Sequence, residues 1–238
     1  MLKKQFSTIK LVAVFMIMTF LLFVSTDNLI LTAAFFVITV AYTFVYAMKR
    51  FKQLEEYKVR VEHCNIFINS MVVNLTIKTN LKECIDTVIH GLPAELKKEV
   101  EFYQNDDPEV FVTNLRDYFK VEIYDVFSET ITLYNQQGGD PLTLFSEILE
   151  NSRSALDKVR EKDTEGKKTF VTTSILWGLA LSILVVCRFA IGEIYLELMK
   201  DLFFGIMVFC AYLVALACYH LYILKLTSAK GSNNEKYR

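Results

Sequence analysis

Four uncharged, apolar stretches and one long amphipathic region make up most of the chain. The apolar stretches are 11–26, 28–48, 169–187 and 202–224. A helix that crosses the hydrocarbon core of a bilayer needs about 20 apolar residues, and the last three stretches meet that requirement. The first stretch has 16 uncharged residues, and it gains length because the stem of Lys10 can extend toward the headgroups. The pattern predicts four membrane spans, paired as two helical hairpins.

The first apolar stretch also has two features of a secretory signal peptide. Lys3, Lys4 and Lys10 precede it, and its middle is apolar. However, no small-x-small cleavage site follows, and the second apolar stretch begins almost at once. We therefore favour a retained membrane span over a cleaved signal peptide.

The region between the two hairpins, 49–168, has the hydrophobic period of helices rather than of strands. Its first helix carries a heptad seam, which favours either packing within the chain's own bundle or a contact with a second copy. The seam consists of Leu54, Tyr57, Val61, Cys64, Ile68, Met71 and Leu75. The predicted core positions on the later helices are Leu81, Cys84, Ile85, Val88, Ile89, Val110, Val112, Leu115, Phe119, Ile123, Phe127, Ile131, Tyr134, Leu142, Phe145, Leu149, Leu156 and Val159.

Helix starts and stops can be located from capping residues. Asn80 with Glu83 has the spacing of a capping box. All three prolines, Pro93, Pro108 and Pro141, stand where a helix is predicted to begin, because the first turn does not need their missing N–H. The segment 94–103 is charged, and we expect it to be exposed.

The turn 138–141 is the clearest boundary inside this region. Gly138 and Gly139 can end one helix, because glycine adopts positive φ at little cost. Asp140 can then cap the next helix, with Pro141 in its first turn. These signals predict an all-α membrane protein with an up-and-down helical bundle inserted between two transmembrane hairpins.

The predicted domains are a transmembrane hairpin at 1–48, a helical bundle at 49–168, a second hairpin at 169–225 and a disordered tail at 226–238. Lysine and arginine are concentrated before the first span, after the second, before the third and after the fourth. Under the positive-inside rule, this bias predicts that both termini and the bundle are cytoplasmic, in the inner or plasma membrane.

Charge and motifs exclude several classes of function. The net charge is −1, so no overall field favours nucleic acid. The sequence contains no nucleotide-binding loop, GxSxG or HExxH motif. His63 and Cys64 are adjacent on a predicted helix and point apart, which makes a poor metal site. We therefore predict no enzyme activity, no metal and no cofactor.

Two groups of charged residues are candidates for function. Arg188 is the only charge that could lie inside a span, either as a functional residue or extending to the outer interface near Glu193 and Glu197. The acidic cluster is either a solvated surface or a surface that receives a basic partner. It consists of Glu99, Glu101, Asp106, Asp107 and Glu109.

Two segments resemble the type II secretion F domain family, which comprises platform proteins of type II secretion and type IV pili and includes the tight-adherence systems. The first segment is 77–85, IKTNLKECI, in which Cys84 stands at a small-residue position and the family's glycine is absent. The second is 137–148, QGGDPLTLFSEI, which is similar to the family's glycine-containing turn and following helix. The order of spans and bundle is also similar, so this chain is interpreted as a divergent member.

The resemblance implies a platform that couples a cytoplasmic ATPase to the transmembrane helices of pilins or pseudopilins, as part of a homo- or hetero-oligomer. In this interpretation the acidic cluster and the turn formed by Gly138, Gly139 and Asp140 contact the ATPase. The alternative is a membrane-anchored interaction or regulatory protein without a pilus machine. A membrane enzyme or transporter is disfavoured, because the spans offer few buried polar groups.

Overall fold

The computed structural model describes residues 6–227 apart from positions 79 and 105, and within them the chain is helical, with no β-strand. The predicted tail falls outside the described residues from position 228 onward. The α-helices are α1 (Phe6–Thr26), α2 (Leu29–Tyr42), α3 (Met48–Leu75), α4 (Leu81–Gly91), α5 (Ala94–Val100), α6 (Pro108–Phe119), α7 (Glu122–Gln137), α8 (Pro141–Lys200) and α9 (Leu202–Thr227).

Two short segments extend these helices. A π-helical turn, Thr43–Ala47, joins α2 directly to α3. Within it, the N–H of Met48 donates to the carbonyl of Thr43, five residues back. The Thr43 hydroxyl also donates to the carbonyl of Thr39 at 2.7 Å. A 3₁₀ turn, Glu101–Tyr103, follows α5.

Helix length and composition make the chain compatible with a membrane protein. Among the described residues, four helical segments are long and apolar enough to cross a bilayer. They are Ile9–Thr26, Leu29–Leu75, Pro141–Tyr195 and Phe203–Lys225. The prediction of several apolar spans in an all-helical protein is therefore confirmed at this level.

The described chain divides into two compact units. The apolar unit takes the residues up to Glu55 and those from Lys162 onward, and the inserted unit is Glu56–Glu161. The boundary residues lie inside α3 and α8, so neither boundary coincides with a loop.

The apolar unit has a core that is rich in aromatic rings. Phe35 packs edge-on against Tyr212 with ring centroids 5.6 Å apart, and Phe15 packs against Tyr219 at 5.8 Å. Asn28 caps α2, since its side-chain oxygen accepts from the N–H groups of Ile30 and Leu31 at 3.0 and 3.2 Å. Asp27 and Asn28 form the turn between α1 and α2.

The largest departure from the sequence prediction concerns α8. With Val159 as the last predicted core position and apolar stretches at 169–187 and 202–224, the sequence predicts a helix that ends near 159, a separate span from 169, and a loop at 192–201. Instead, one helix runs from Pro141 to Lys200 and is broken only at Gly192, where φ is 28° and ψ is −98°. The chain has no proline after Pro141, and its charged segment consists mainly of good helix formers, so nothing interrupts the helix there.

Arg188 does not pair with the acidic residues that are near it in the sequence. It donates one hydrogen bond to the carbonyl of Val24 and another to the Asp27 carboxylate at 3.1 Å. Glu193 and Glu197 are therefore not its partners. The guanidinium instead joins α8 to the turn between α1 and α2, all within the apolar unit.

The seam of α3 forms the core of the inserted unit. From Val61 to Leu75 its predicted positions are buried against the unit's own helices. These side chains therefore cannot serve as the surface of a dimer, and the alternative of packing within the bundle is the one observed. Phe67 lies at the centre, where its ring contacts those of four other aromatic residues: Phe111, Phe119, Tyr124 and Phe127.

Most predicted core positions on α4, α6, α7 and α8 are buried, but two are wrong. Val110 is 48% exposed and Leu142 is 55% exposed. Phe111 is buried on α6 in place of Val110, and Ile148 is buried on α8. Phe111 buries more apolar surface than Val110, and its spacing of four residues to Leu115 keeps both on one face.

The segment 94–103 is also less exposed than predicted. Leu96 and Val100 are fully buried in the core of the inserted unit. The charged residues of α5 therefore occupy one face of a helix whose other face is packed. On α7, Tyr124 is buried although the prediction placed its neighbour Ile123 inward.

Replacing Phe67 with Ala should lower the free energy of unfolding of the inserted unit by about 3–5 kcal/mol, because it removes a fully buried ring and leaves a cavity. The measurement is denaturant unfolding of the full chain in detergent, followed by circular dichroism. Phe102, which is 83% exposed, supplies the control, and Phe102→Ala should change stability by less than about 0.5 kcal/mol. Equal effects of the two substitutions would contradict the assignment of Phe67 to the core.

Candidate interaction surface

The turn before α8 has the geometry that the glycine pair predicts. Gly138 and Gly139 have φ values of +70° and +127°. A Cβ atom on Gly139 would also lie 3.1 Å from Cδ1 of Leu144. Both positions therefore favour glycine.

Asp140 is the N-terminal cap of α8. Its Oδ2 accepts from the Thr143 N–H at 3.0 Å and from the Thr143 hydroxyl at 2.5 Å. These two hydrogen bonds stabilise the carboxylate and lower the pKa of Asp140 below its ordinary value.

An open polar cavity of about 440 Å³ lies beside the first turns of α4 and α6. It is lined by Asn80, Leu81, Lys82, Asp107, Pro108, Glu109 and Asn135. Asp107 stands at the N-cap of α6, yet its side chain makes no capping hydrogen bond. An aspartate directly before a proline at a helix start is expected to cap the helix. Asp107 does not do so, and its carboxylate can accept a hydrogen bond from a donor outside the chain.

One hydrogen bond links this cavity to the glycine turn. Nδ2 of Asn135 donates to Oε1 of Glu109 at 2.8 Å. Asn135 is in the last turn of α7, and Gly138 follows it by three residues, or about 4.5 Å of helix rise. Asp107, Glu109 and the turn formed by Gly138, Gly139 and Asp140 therefore lie at the same end of the inserted unit.

The remaining acidic candidates lie in other surroundings. Glu101 forms an ion pair with Lys97 at 3.6 Å. Asp106 accepts a hydrogen bond from Asn114 at 2.9 Å. Glu99 is near the pair His63 and Tyr118, where it acts on the pKa values of both side chains. The structure thus brings Asp107 and Glu109 together in one cavity and places Glu99 beside a different contact.

His63 and Cys64 point in different directions, as expected for neighbours on a helix. Nδ1 of His63 is 2.7 Å from the Tyr118 hydroxyl. Burial lowers the pKa of His63, while Glu95, Glu62 and Glu99 act in the opposite direction. Among the described residues, no group of three or more His, Cys, Asp and Glu side chains is arranged to hold a metal ion.

The two cysteines of the inserted unit are buried thiols. Burial raises the pKa of Cys64 well above its ordinary value and that of Cys84 to about 12. Both remain protonated and weakly reactive near neutral pH, because the thiolate is the reactive form.

Sequence reasoning missed several residues of the cavity and the contacts that support it. Asn80 was recognised only as a cap, and its Oδ1 does accept from the Lys82 N–H at 2.9 Å. Asn135 and Lys82 gave no signal. Arg116 was also missed, although it joins α6 to α7 by donating to the Ser128 hydroxyl at 2.6 Å and to Glu129 at 3.0 Å.

Comparison with known protein families, curated proteins and solved structures finds no match to this chain. The site must therefore be interpreted from its chemistry. Carboxylates at an open, polar cavity accept hydrogen bonds from ammonium or guanidinium groups, so the surface is suited to a basic side chain of a partner protein.

The substitution Asp140→Ala should lower the melting temperature at neutral pH, because α8 loses its side-chain cap. The lowered pKa means that the carboxylate stabilises the fold above its ordinary pKa of 3.8, and that this contribution is lost as pH falls through the lower folded value. The difference in melting temperature between wild type and variant should therefore shrink in acid.

Asp107→Ala is the matched control for this experiment. It removes an N-cap aspartate whose side chain makes no capping hydrogen bond, so it should lower the melting temperature less. A difference for Asp140→Ala that is the same at all pH values would contradict the role assigned to its carboxylate.

Proposed function

We propose that this chain is an integral membrane platform protein of a machine similar to those of type IV pili and type II secretion, which couples a cytoplasmic ATPase to pilin or pseudopilin assembly. The observation that supports this most is the architecture. A helical unit, Glu56–Glu161, is inserted between two pairs of helices that are long and apolar enough for a bilayer. The resemblance of segments 77–85 and 137–148 to the platform family supports the same function.

Helix continuity suits a protein that transmits motion. Both boundaries of the inserted unit lie within helices, α3 and α8, rather than within loops. In a helix each residue is hydrogen-bonded to the residue four positions away, so a rotation or tilt applied at one end is passed along the backbone. The ATPase would act on the inserted unit, and the apolar helices would act on pilin subunits in the bilayer.

The pilin contact would involve apolar surface on the spans. A shallow, apolar groove of about 60 Å³ lies between α1 and α2 in the apolar unit. Phe15, Met16, Phe36 and Phe44 are among the residues that line it. Large apolar side chains with little polar surface suit contact with a transmembrane helix in lipid.

The ATPase contact would be the cavity that contains Asp107 and Glu109, together with the neighbouring turn Gly138, Gly139 and Asp140. A basic surface on the ATPase would complement these carboxylates. Glu99, Glu101 and Asp106 would then contribute to the surrounding acidic surface rather than to the cavity. The platform itself would act as a homo- or hetero-oligomer.

Reversing the charge at Asp107 and Glu109 together, by substitution with lysine, should weaken binding of the purified chain to its secretion ATPase roughly tenfold or more, because two attractive contacts become repulsive. The measurement is the dissociation constant of the full chain in detergent with the ATPase. Pilus or secretion activity in cells should fall in parallel.

Asp117→Lys with Glu150→Lys is the matched control, because both acids are exposed and lie outside the cavity. It should leave ATPase binding unchanged. If both double variants bind as wild type does, the cavity is not the contact. If the wild-type chain binds no ATPase at all, the alternative of an anchored interaction protein is favoured instead.

The orientation proposed from the lysine and arginine bias places the inserted unit and both termini in the cytoplasm. Cys64 and Cys84 are unsuitable for labelling because they are buried. We therefore propose Gln136→Cys and Glu197→Cys, at two exposed positions, in a chain whose cysteines at 187, 210 and 218 are replaced by alanine.

A membrane-impermeant maleimide should label position 197 in intact cells and position 136 only after the membrane is permeabilised. This result follows because the segments 25–28 and 192–201, which connect the paired spans, carry few positive charges. Labelling of position 136 in intact cells would contradict the cytoplasmic orientation and the ATPase contact with it.

A further inference from the structure

One end of the apolar unit carries a cluster of aromatic and basic side chains. The ring of Tyr46 stacks on Tyr42 at 5.6 Å and contacts His220 at 4.8 Å between centroids. The Tyr42 hydroxyl is 3.2 Å from Nδ1 of His220. The guanidinium of Arg50 lies over the Tyr46 ring, 5.5 Å from its centroid. The end of α2, the π-helical turn and α9 are thus joined at this point.

The helix α8 meets the same cluster. The Tyr222 hydroxyl donates to the carbonyl of Gly166 at 2.9 Å. The ring of Phe170 lies 6.0 Å from that of Tyr219 and 5.8 Å from that of Tyr222. Lys168, which is exposed, stands between Gly166 and Phe170 and therefore belongs to this end of the unit.

Basic residues predominate here. The segments 46–55, 162–168 and 219–225 contain seven lysine and arginine residues and three aspartate and glutamate residues. This excess of positive charge is concentrated in the turns of helix next to the apolar stretches.

Several of these cations form no ion pair with another described residue. Within the part of the chain that the structure describes, Lys49, Arg50 and Lys168 have no carboxylate within ion-pair distance. By contrast, Lys167 is paired with Asp163 at 2.5 Å. The uncompensated charge of Arg50 lies over the Tyr46 ring, and Lys49 precedes Arg50 directly. Lys168 is at the same end of the unit, on the face of α8 opposite Gly166 and Phe170.

We propose that this end of the apolar unit binds the phosphate headgroups of anionic phospholipids, with Lys49, Arg50 and Lys168 as the headgroup contacts. One guanidinium group can donate two parallel hydrogen bonds to two phosphate oxygens, and the lysine ammonium adds a compact positive charge. Tyrosine rings are common at the level of the headgroups, with the ring in the apolar layer and the hydroxyl in the polar one. This inference needs only a membrane-embedded chain and is independent of the pilus function.

The test is binding of fluorescent phosphatidylglycerol to the full chain in neutral detergent, compared with fluorescent phosphatidylcholine. The chain should prefer phosphatidylglycerol. The triple variant Lys49→Gln, Arg50→Gln and Lys168→Gln should bind phosphatidylglycerol on the order of a hundredfold more weakly, from about fivefold for each basic residue near an anionic surface. Its binding of phosphatidylcholine should not change.

A control variant with the same loss of charge carries Lys98→Gln, Lys120→Gln and Arg153→Gln, all exposed positions in the inserted unit and outside its cavity. It should bind phosphatidylglycerol as wild type does. Equal losses in both triple variants, or equal affinity of wild type for the two lipids, would overturn the proposal.

Two measurements on the wild-type chain keep the proposal testable if the triple variant fails to fold. Added salt should weaken phosphatidylglycerol binding, because the contact is between charges near the surface. At constant ionic strength, inorganic phosphate in place of chloride should leave the lipid bound, because it lacks the acyl chains that bury apolar surface. Binding that is independent of salt, or full displacement by phosphate, would show that the site is not a lipid headgroup site.

Discussion

In both units of this chain, helix lengths and helix ends follow from the need to pair every backbone N–H and C=O group. A hydrocarbon environment offers no water to an unpaired peptide group, so a span must be helical throughout. The helix α8 meets this condition from Pro141 to the break at Gly192. Where helices begin, side chains supply the missing acceptors, as Asn28 does for α2 and Asp140 does for α8. Loops are short because the helices continue almost to each turn.

Polar side-chain contacts hold the connections between consecutive helices in place. In the apolar unit, Arg188 holds the turn between α1 and α2 through the Val24 carbonyl and Asp27. In the inserted unit, the contact of Glu109 with Asn135 holds the start of α6 against the end of α7. In the inserted unit, the groups of the proposed ATPase contact lie at helix ends. The basic residues of the proposed lipid headgroup site instead lie within continuous helix, next to apolar stretches.

Local signals in the sequence were enough to predict the helices, the caps at Asn80 and Asp140, and the buried seam of α3. They were not enough where two adjacent apolar residues compete, as Val110 and Phe111 do, because only packing against Phe67 selects one. The joining of α8 into one helix was missed because its charged segment separates two apolar regions and was interpreted as the boundary between two helices, although it consists mainly of good helix formers. The cavity and the pair of Arg188 with Asp27 were missed because they join residues far apart in the sequence, 161 positions for that pair.

The wide turn at Thr43–Ala47 has a consequence for how the second apolar helix can move. A π-type turn contains one residue more than an α-turn, and each residue of an α-helix advances the chain by about 100° around its axis. If the wide turn migrates by one position, each backbone group exchanges one partner for the next, so no hydrogen bond is lost. The side chain that it passes is carried to a new face. A shift of this turn by one position would therefore re-aim one side chain of the helix, while the residues on either side keep their faces.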